Sequence, residues 1–235
     1  MACLRIVCFM FLILTSSLSE YQDTYKASFV SPGFPYIKLG PTIPEPLKEL
    51  TLCYWVRPHN HTSNVSMTVL SYAHPKRADE LLAGLVTGSG VFFHRQKRDK
   101  NVSPAHSTYS IQVGQWTHVC ITWSSLTGTT RIFINGKHAN AFSDIAFGEV
   151  VETGGVVVIG QDQNIYGGSF KKDSGLQGDL SELHLWDTML CDEIEKIYKC
   201  EIPTDGNVIS WSKSRKIFYS GVQTSAIRLP CGKCQ

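Results

Sequence analysis

The chain has 235 residues, a length that suits one large all-β domain or two small ones. Its apolar content, 43%, supports a sizeable core, and its net charge of +2 argues against nucleic acid as a partner, because phosphate binding needs a concentrated basic surface.

The first segment, residues 1–19, reads as a signal peptide rather than fold material. Arg5 supplies an n-region charge, Ile6 to Leu14 form an apolar run too short to span a bilayer, and Ser17-Leu18-Ser19 gives a small-x-small cleavage pattern before Glu20. Past it, the longest apolar stretches fall short of the roughly 18 residues that a membrane helix needs. Residues 20–235 are therefore expected to form a secreted, extracellular domain with no membrane span and a cysteine-containing C-terminal tail.

Short strands dominate from there on. Leu50 to Val56 is rich in β-formers and ends at Arg57-Pro58. Arg95 to Lys100 is a basic run that reads as a solvated hairpin or loop rather than a polyanion site. Thr117 to Trp123 alternates and runs into a turn at Ser124 to Gly128. Thr130 to Ile134 follows, closed by Asn135-Gly136, a strong tight-turn signal because both residues tolerate positive φ. Val156 to Ile159 is a short buried strand. Leu180 to Trp186 alternates again, with Leu183 and Leu185 inward and Glu182 and His184 opposite. One segment differs: Ile194, Ile197 and Tyr198 stand at helical spacing, with Asp192 placed to cap the helix and Glu195 three residues on. Many strands with one short helix at 192–198 predict a two-sheet β-sandwich or jelly roll.

Cys3 and Cys8 leave with the signal peptide. Six cysteines remain, Cys53, Cys120, Cys191, Cys200, Cys231 and Cys234, and in an oxidising compartment an even count favours disulfides. Cys191 and Cys200 flank the helix at about 13 Å, beyond the roughly 4.4–6.8 Å that a disulfide allows, so they should not pair with each other. Cys231 and Cys234 in the tail can supply partners to the helix region, link protomers, or act as a redox or zinc motif. Asn60, Asn64 and Asn101 each open an N-x-S/T sequon and are expected in exposed, glycosylated loops.

His118 to Trp123 resembles the H-x-C-x-S/T-W signature of the pentraxin family. Leu70-Ser-Tyr-Ala73, Ile132 to Gly136, Ile159-Gly-Gln161, Tyr166-Gly-Gly168, Gly178-Asp179, Leu185-Trp-Asp187 and the Asp192–Tyr198 segment follow in the family's order, covering about Lys26 to Ser212. The resemblance is to the short pentraxins. It implies an all-β, lectin-like two-sheet jelly roll, a homopentamer with ligand faces on one side, and a disulfide between Cys53 and Cys120. That bond would close a loop of roughly 68 residues, contributing about 4 kcal/mol by loop entropy.

The resemblance also implies a calcium site, carried over residue by residue. A carboxylate-amide pair falls on Ala78 and Asp79, and an acidic loop falls on Asp162, Gln163 (through its backbone carbonyl) and Asn164. The family's glutamate position is Lys171 and its glutamine position Ser174; Asp173 lies nearby. Calcium takes about 6–8 oxygens. Asp79, Asp162, Gln163 and Asn164 with water suffice for one ion, whereas Lys171 opposes a second. Three readings stand: one weak calcium; none, with Lys171 or Lys172 as a salt-bridge partner of Asp79, Asp162 and Asp173; or the full two-ion site. The family's aromatic wall and choline-facing carboxylate fall near Gly84 and Asp99. Gly84 cannot supply the wall, so the ligand is expected to be another polyvalent surface group such as a carbohydrate.

Three function classes follow. The first is a secreted, multivalent pattern-recognition protein of innate immunity. The second is an extracellular coat or matrix glycoprotein on the same ring with reduced or absent calcium binding. The third, a glycan hydrolase, would need paired carboxylates on one strand face. Glu149 and Glu152, and Asp179 and Glu182, are each three apart, a spacing that places neither pair on one face of a regular strand. His118 is read as structural. No enzyme activity is expected.

Overall fold

A computed structural model describes residues 21–30, 33–40, 43–59, 64–95 and 105–232. Residues 1–19, read from the sequence as a signal segment, Asn60, residues 96–100 of the basic run (Asp99 among them), Asn101 and Cys234 lie outside the described residues. Among the described residues, fourteen strands, numbered in chain order, form two seven-stranded antiparallel sheets. The first sheet runs Lys137–Phe142 (β10), Thr129–Ile134 (β9), Thr117–Ser124 (β8), Glu49–Pro58 (β3), Gly178–Trp186 (β12), Tyr21–Phe29 (β1) and Gln223–Pro230 (β14). The second runs Lys216–Tyr219 (β13), Tyr36–Leu39 (β2), Val156–Ile159 (β11), Ser66–His74 (β4), Arg77–Val86 (β5), Gly90–His94 (β6) and Ala105–His106 (β7).

The period-two pattern explains the sandwich. Leu50, Leu52, Tyr54 and Val56 of β3 and Val119, Ile121 and Trp123 of β8 face Met67, Leu81, Ala83, Leu85 and Phe93 across one continuous core. Each fully buried aliphatic or aromatic side chain there contributes about 1.5–3 kcal/mol. Intervening residues point to the outer faces. Cys53 and Cys120 do so directly opposite each other on β3 and β8, with 4.1 Å between their Cα atoms, and are joined as a disulfide. Asn135 and Gly136 both take positive φ (49° and 76°) and close the β9–β10 hairpin.

The short helix α1, Ile194–Tyr198, lies on the outer face of the first sheet. Ile194 and Ile197 pack with Cys53, Cys120, Phe133 and Trp186, so the helix roofs the disulfide. Tyr198 stacks on Trp55 and His118, with ring centroids 5.8 Å away in each case. The helix begins later than the sequence suggests, and no side-chain hydrogen bond caps it; Glu193, not Asp192, stands at the N-cap. Its other end is closed by backbone. Cys200 adopts φ 57°, and the amides of Cys200 and Glu201 donate to the carbonyls of Ile197 and Lys196. That is the two-bond pattern for which glycine is usually chosen. Here the residue is a cysteine, bonded to Cys231 at the end of β14. Cys191 is joined to no described cysteine, and its sulfur accepts a hydrogen bond from Arg131 Nη1 at 3.5 Å.

Two expectations need correction. The alternation of β12 is broken: the strand slips register against β3 between Ser181 and His184, and Glu182 takes φ 45°. The bulge lets Leu180 and Leu183, three apart, both reach the core. It also turns Asp179 and Glu182 to the same outer face, contrary to the spacing argument: Asp179 meets Lys26 and Ser28, and Glu182 meets Gln22 and Thr24, all alternate residues of β1. Both carboxylates are held. Asp179 is fully buried among Lys26, Arg57 and His59, whose attraction, with the Ser28 hydroxyl, outweighs burial and draws its carboxyl down to about 2. The second correction is Arg95, which is not a solvated member of the basic run. It is completely buried, pairs with Glu80 at 3.1 Å, donates to the Glu80 and Val150 carbonyls, and lies over the Trp123 ring. Its partners come from other strands and loops, which a local run of charge does not reveal.

Candidate functional site

The loop that leaves β11 at Gly160 and returns to β12 at Gly178 carries most of the candidate ligands. Its ends are tied: the Leu176 amide donates to the Gly160 carbonyl at 2.9 Å, and Gly160, at φ 88°, lies where a Cβ would strike the Phe29 ring at 2.4 Å. Gln163 pegs the middle. Its side chain is fully buried, with Nε2 donating to the carbonyls of Ser71 at 2.9 Å and Val156 at 3.0 Å, while Oε1 accepts from the Gly167 amide. The Gln163 side chain is thus spent on holding the loop, which leaves only its backbone carbonyl for a ligand. Asn164 Nδ2 donates to the Ser169 carbonyl at 2.6 Å, keeping Oδ1 available as an acceptor. Ser174 Oγ donates to the Lys171 carbonyl within a 3-10 turn at Lys172–Ser174.

Asp162 is the unusual member. Its Oδ1 is buried and has no hydrogen-bond partner. Burial foremost, and then the negative charge of Asp79 on β5, push its carboxyl above the ordinary range; Lys171 and the Gln163 amide pull it back. Asp79 and Asp162 are therefore electrostatic neighbours of like sign. Lys171 is exposed and acts on Asp162 from a distance, not as a hydrogen-bonded partner; Asp173 is exposed, and of Lys172 only the backbone is described. A buried, unpartnered carboxylate oxygen near a second carboxylate is a costly arrangement that a cation relieves. Asp79, Asp162, the Gln163 carbonyl and Asn164 are oxygen donors of the kind that a hard cation takes. Lys171, whose charge reaches Asp162, stands where the family resemblance implies a second ion's carboxylate.

Beside this loop, the outer face of the second sheet carries a cleft of about 320 Å³ lined by Thr68, Leu82, Phe92, His94, His106 and Asp162, among others. Gly84, opposite Phe92 in the β5–β6 register, does not leave a hole. The Phe92 ring covers it, so closely that a Cβ on Gly84 would meet the ring at 2.5 Å and the Met67 carbonyl at 2.2 Å. An aromatic surface is therefore present in the cleft, but it comes from the neighbouring strand, which the sequence position alone did not disclose. Of the three sequons, Asn64 is described: it is exposed, and its Oδ1 accepts from Ser89 Oγ at 3.0 Å.

Comparison with known proteins decides the lineage. The Pentaxin family model matches residues 30–225. The chain belongs to the pentraxin family. C-reactive protein 1.4 of Limulus polyphemus is 37% identical over 226 residues, spanning 92% of this chain and 91% of that protein. C-reactive protein 1.1 of the same animal is 39% identical over 226 residues, 91% and 90% of the two chains. The crystal structure of the native heptameric SAP-like pentraxin from Limulus polyphemus superposes with a TM-score of 0.76 at 26% identity, covering 85% of this chain and 94% of that one. The two sheets are thus the pentraxin jelly roll. As a pentraxin, the chain carries the Asp162 loop and the Phe92 cleft side by side on the outer region of its second sheet. No helix among the described residues is long and apolar enough to cross a membrane.

Proposed function

We propose that this pentraxin is a secreted, multivalent recognition protein of innate defence, which binds polyvalent surface ligands, carbohydrate foremost, through the face that carries Asp79 and Asp162. The observation that carries this reading is the buried, unpartnered Oδ1 of Asp162 beside Asp79. Asp79, Asp162, the Gln163 carbonyl and Asn164 would hold one calcium ion, with Lys171 opposing a second and Asp173 and Ser174 outside the set. When bound, the ion would offer open coordination positions to ligand oxygens. The chain's own residues do the rest: Gln163 fixes the loop, and Asp162 and Asp79 supply the anionic field.

Family membership and the Limulus relatives named C-reactive protein support binding rather than catalysis. The heptameric Limulus structure supports a ring of copies here also, whether that ring has five members, as the sequence resemblance implies, or another number. Identical faces in a ring raise apparent affinity by about 10²–10⁴ when they engage together, so a weak single site is sufficient. Glycans at Asn60, Asn64 and Asn101 belong to the same extracellular reading.

Size-exclusion light scattering with millimolar calcium and then with EDTA, paired with capture on immobilised glycans, tests the proposal. A closed oligomer that captures ligand only with calcium is expected. An oligomer indifferent to calcium and without glycan capture would overturn it and move the coat or matrix reading ahead.

A further inference from the structure

The cleft beside the Asp162 loop holds a set of groups that the recognition reading does not use. In the β6–β7 register Phe92 stands opposite His106 and Phe93 opposite Ala105. Phe92, His94 and His106 therefore project from the same face, and the two histidines are diagonal cross-strand neighbours. Such pairs lie about 7–8 Å apart at the backbone and closer at Cβ, within reach of a common ion at about 2 Å from each imidazole nitrogen. His94 lies within the electrostatic reach of Asp79 and Arg95, and both histidine side chains open onto the cleft. Both line the same cleft as Asp162, whose buried Oδ1 is without a partner. Phe92, Leu82 and Val86 line the same cleft and give it an apolar side.

Two imidazoles and one carboxylate are the donor set of a borderline divalent cation, not of calcium or magnesium, which take oxygen. We propose that His94, His106 and Asp162 form a binding site for such a cation, zinc in the first instance, with water in the fourth position. The three donor groups stand apart in the free protein: among the described residues, the group whose donor atoms lie within 4.8 Å of one another is Cys53, His118 and Cys120, and its sulfurs are committed to the disulfide. Closure requires side-chain rotation around the cleft, where His106 is exposed. Asp162 is shared with the calcium set, so zinc and calcium compete for it, but the site does not depend on calcium binding at all.

Zinc chloride is titrated calorimetrically into the full chain in calcium-free buffer, and cobalt(II) absorption reports the coordination geometry. One zinc per protomer and a tetrahedral cobalt spectrum are expected. His94→Gln or His106→Gln should each weaken zinc binding roughly tenfold or more, since even supporting-shell losses cost 10–100-fold. The double variant should lose the cobalt spectrum yet bind calcium as the parent does. Zinc affinity unchanged in the folded double variant, or no zinc binding by the parent, overturns the proposal. Failure of calcium binding with intact zinc binding would count against the recognition reading alone.

Discussion

The ring of Phe92 lies over Gly84 on the adjacent strand, so closely that a Cβ on Gly84 would stand 2.5 Å from it and 2.2 Å from the backbone carbonyl of Met67. The second contact is with main chain, which cannot turn away. Gly84→Ala should therefore destabilise the fold by about 1–3 kcal/mol, the cost of overpacking a filled site. Urea denaturation measures this. A neutral result would mean that β4 and β5 separate without penalty and that the Phe92 wall is not fixed.

The Cys200–Cys231 bond closes a segment with a sequence separation of 31 and holds Cys200 at φ 57°. Replacing both cysteines by serine should cost about 3–4 kcal/mol by loop entropy. The variant Cys200→Gly with Cys231→Ser should be more stable than the double serine by about 1 kcal/mol, because glycine takes positive φ without the Cβ penalty. Equal stability of the two would show that the helix end relaxes once the bond is gone.

His118 is buried between Trp55 and Tyr198, and its backbone amide donates to Asn135 Oδ1 at 2.9 Å. Burial above all, with the nearby His184 second, lowers its pKa from 6.5 to about 3. The unfolded chain therefore takes up a proton that the folded chain refuses. Its contribution is fully present above pH 6.5 and is lost as the pH falls toward 3. At pH 5 the expected loss from this residue is about 2 kcal/mol. Chemical denaturation of parent and His118→Phe at pH 7 and pH 5 isolates it: the variant should lack this part of the acid destabilisation. An identical acid response in both would remove His118 as the cause.

Much of the sandwich was legible because its strands alternate. The Leu50–Val56, Thr117–Trp123 and Val156–Ile159 segments lie within β3, β8 and β11, and the helix shows in Ile194, Ile197 and Tyr198. What escaped depends on partners distant in sequence. The β12 bulge appears only as Leu180 and Leu183 both needing the core. Arg95 is buried because Glu80 and Val150 reach it, not because of its neighbours in the chain. The C-terminal strand β14 pairs along β1 from Ser28 to Tyr21 but is largely exposed, so it carries little hydrophobic pattern. In the candidate site, oxygen-bearing residue types and the family resemblance directed attention to the Asp162 loop. They did not tell that the Gln163 side chain is wholly used as a peg, or that Phe92 would occupy the space that Gly84 leaves.

A calorimetric calcium titration of the parent, Asp162→Asn and Lys171→Glu puts the proposed ion site itself to the test. One calcium per protomer is expected in the parent, with loss of that binding in Asp162→Asn. A second ion or tighter binding is expected in Lys171→Glu, where a carboxylate replaces the opposing ammonium. No heat at millimolar calcium from an intact parent oligomer would contradict the calcium reading.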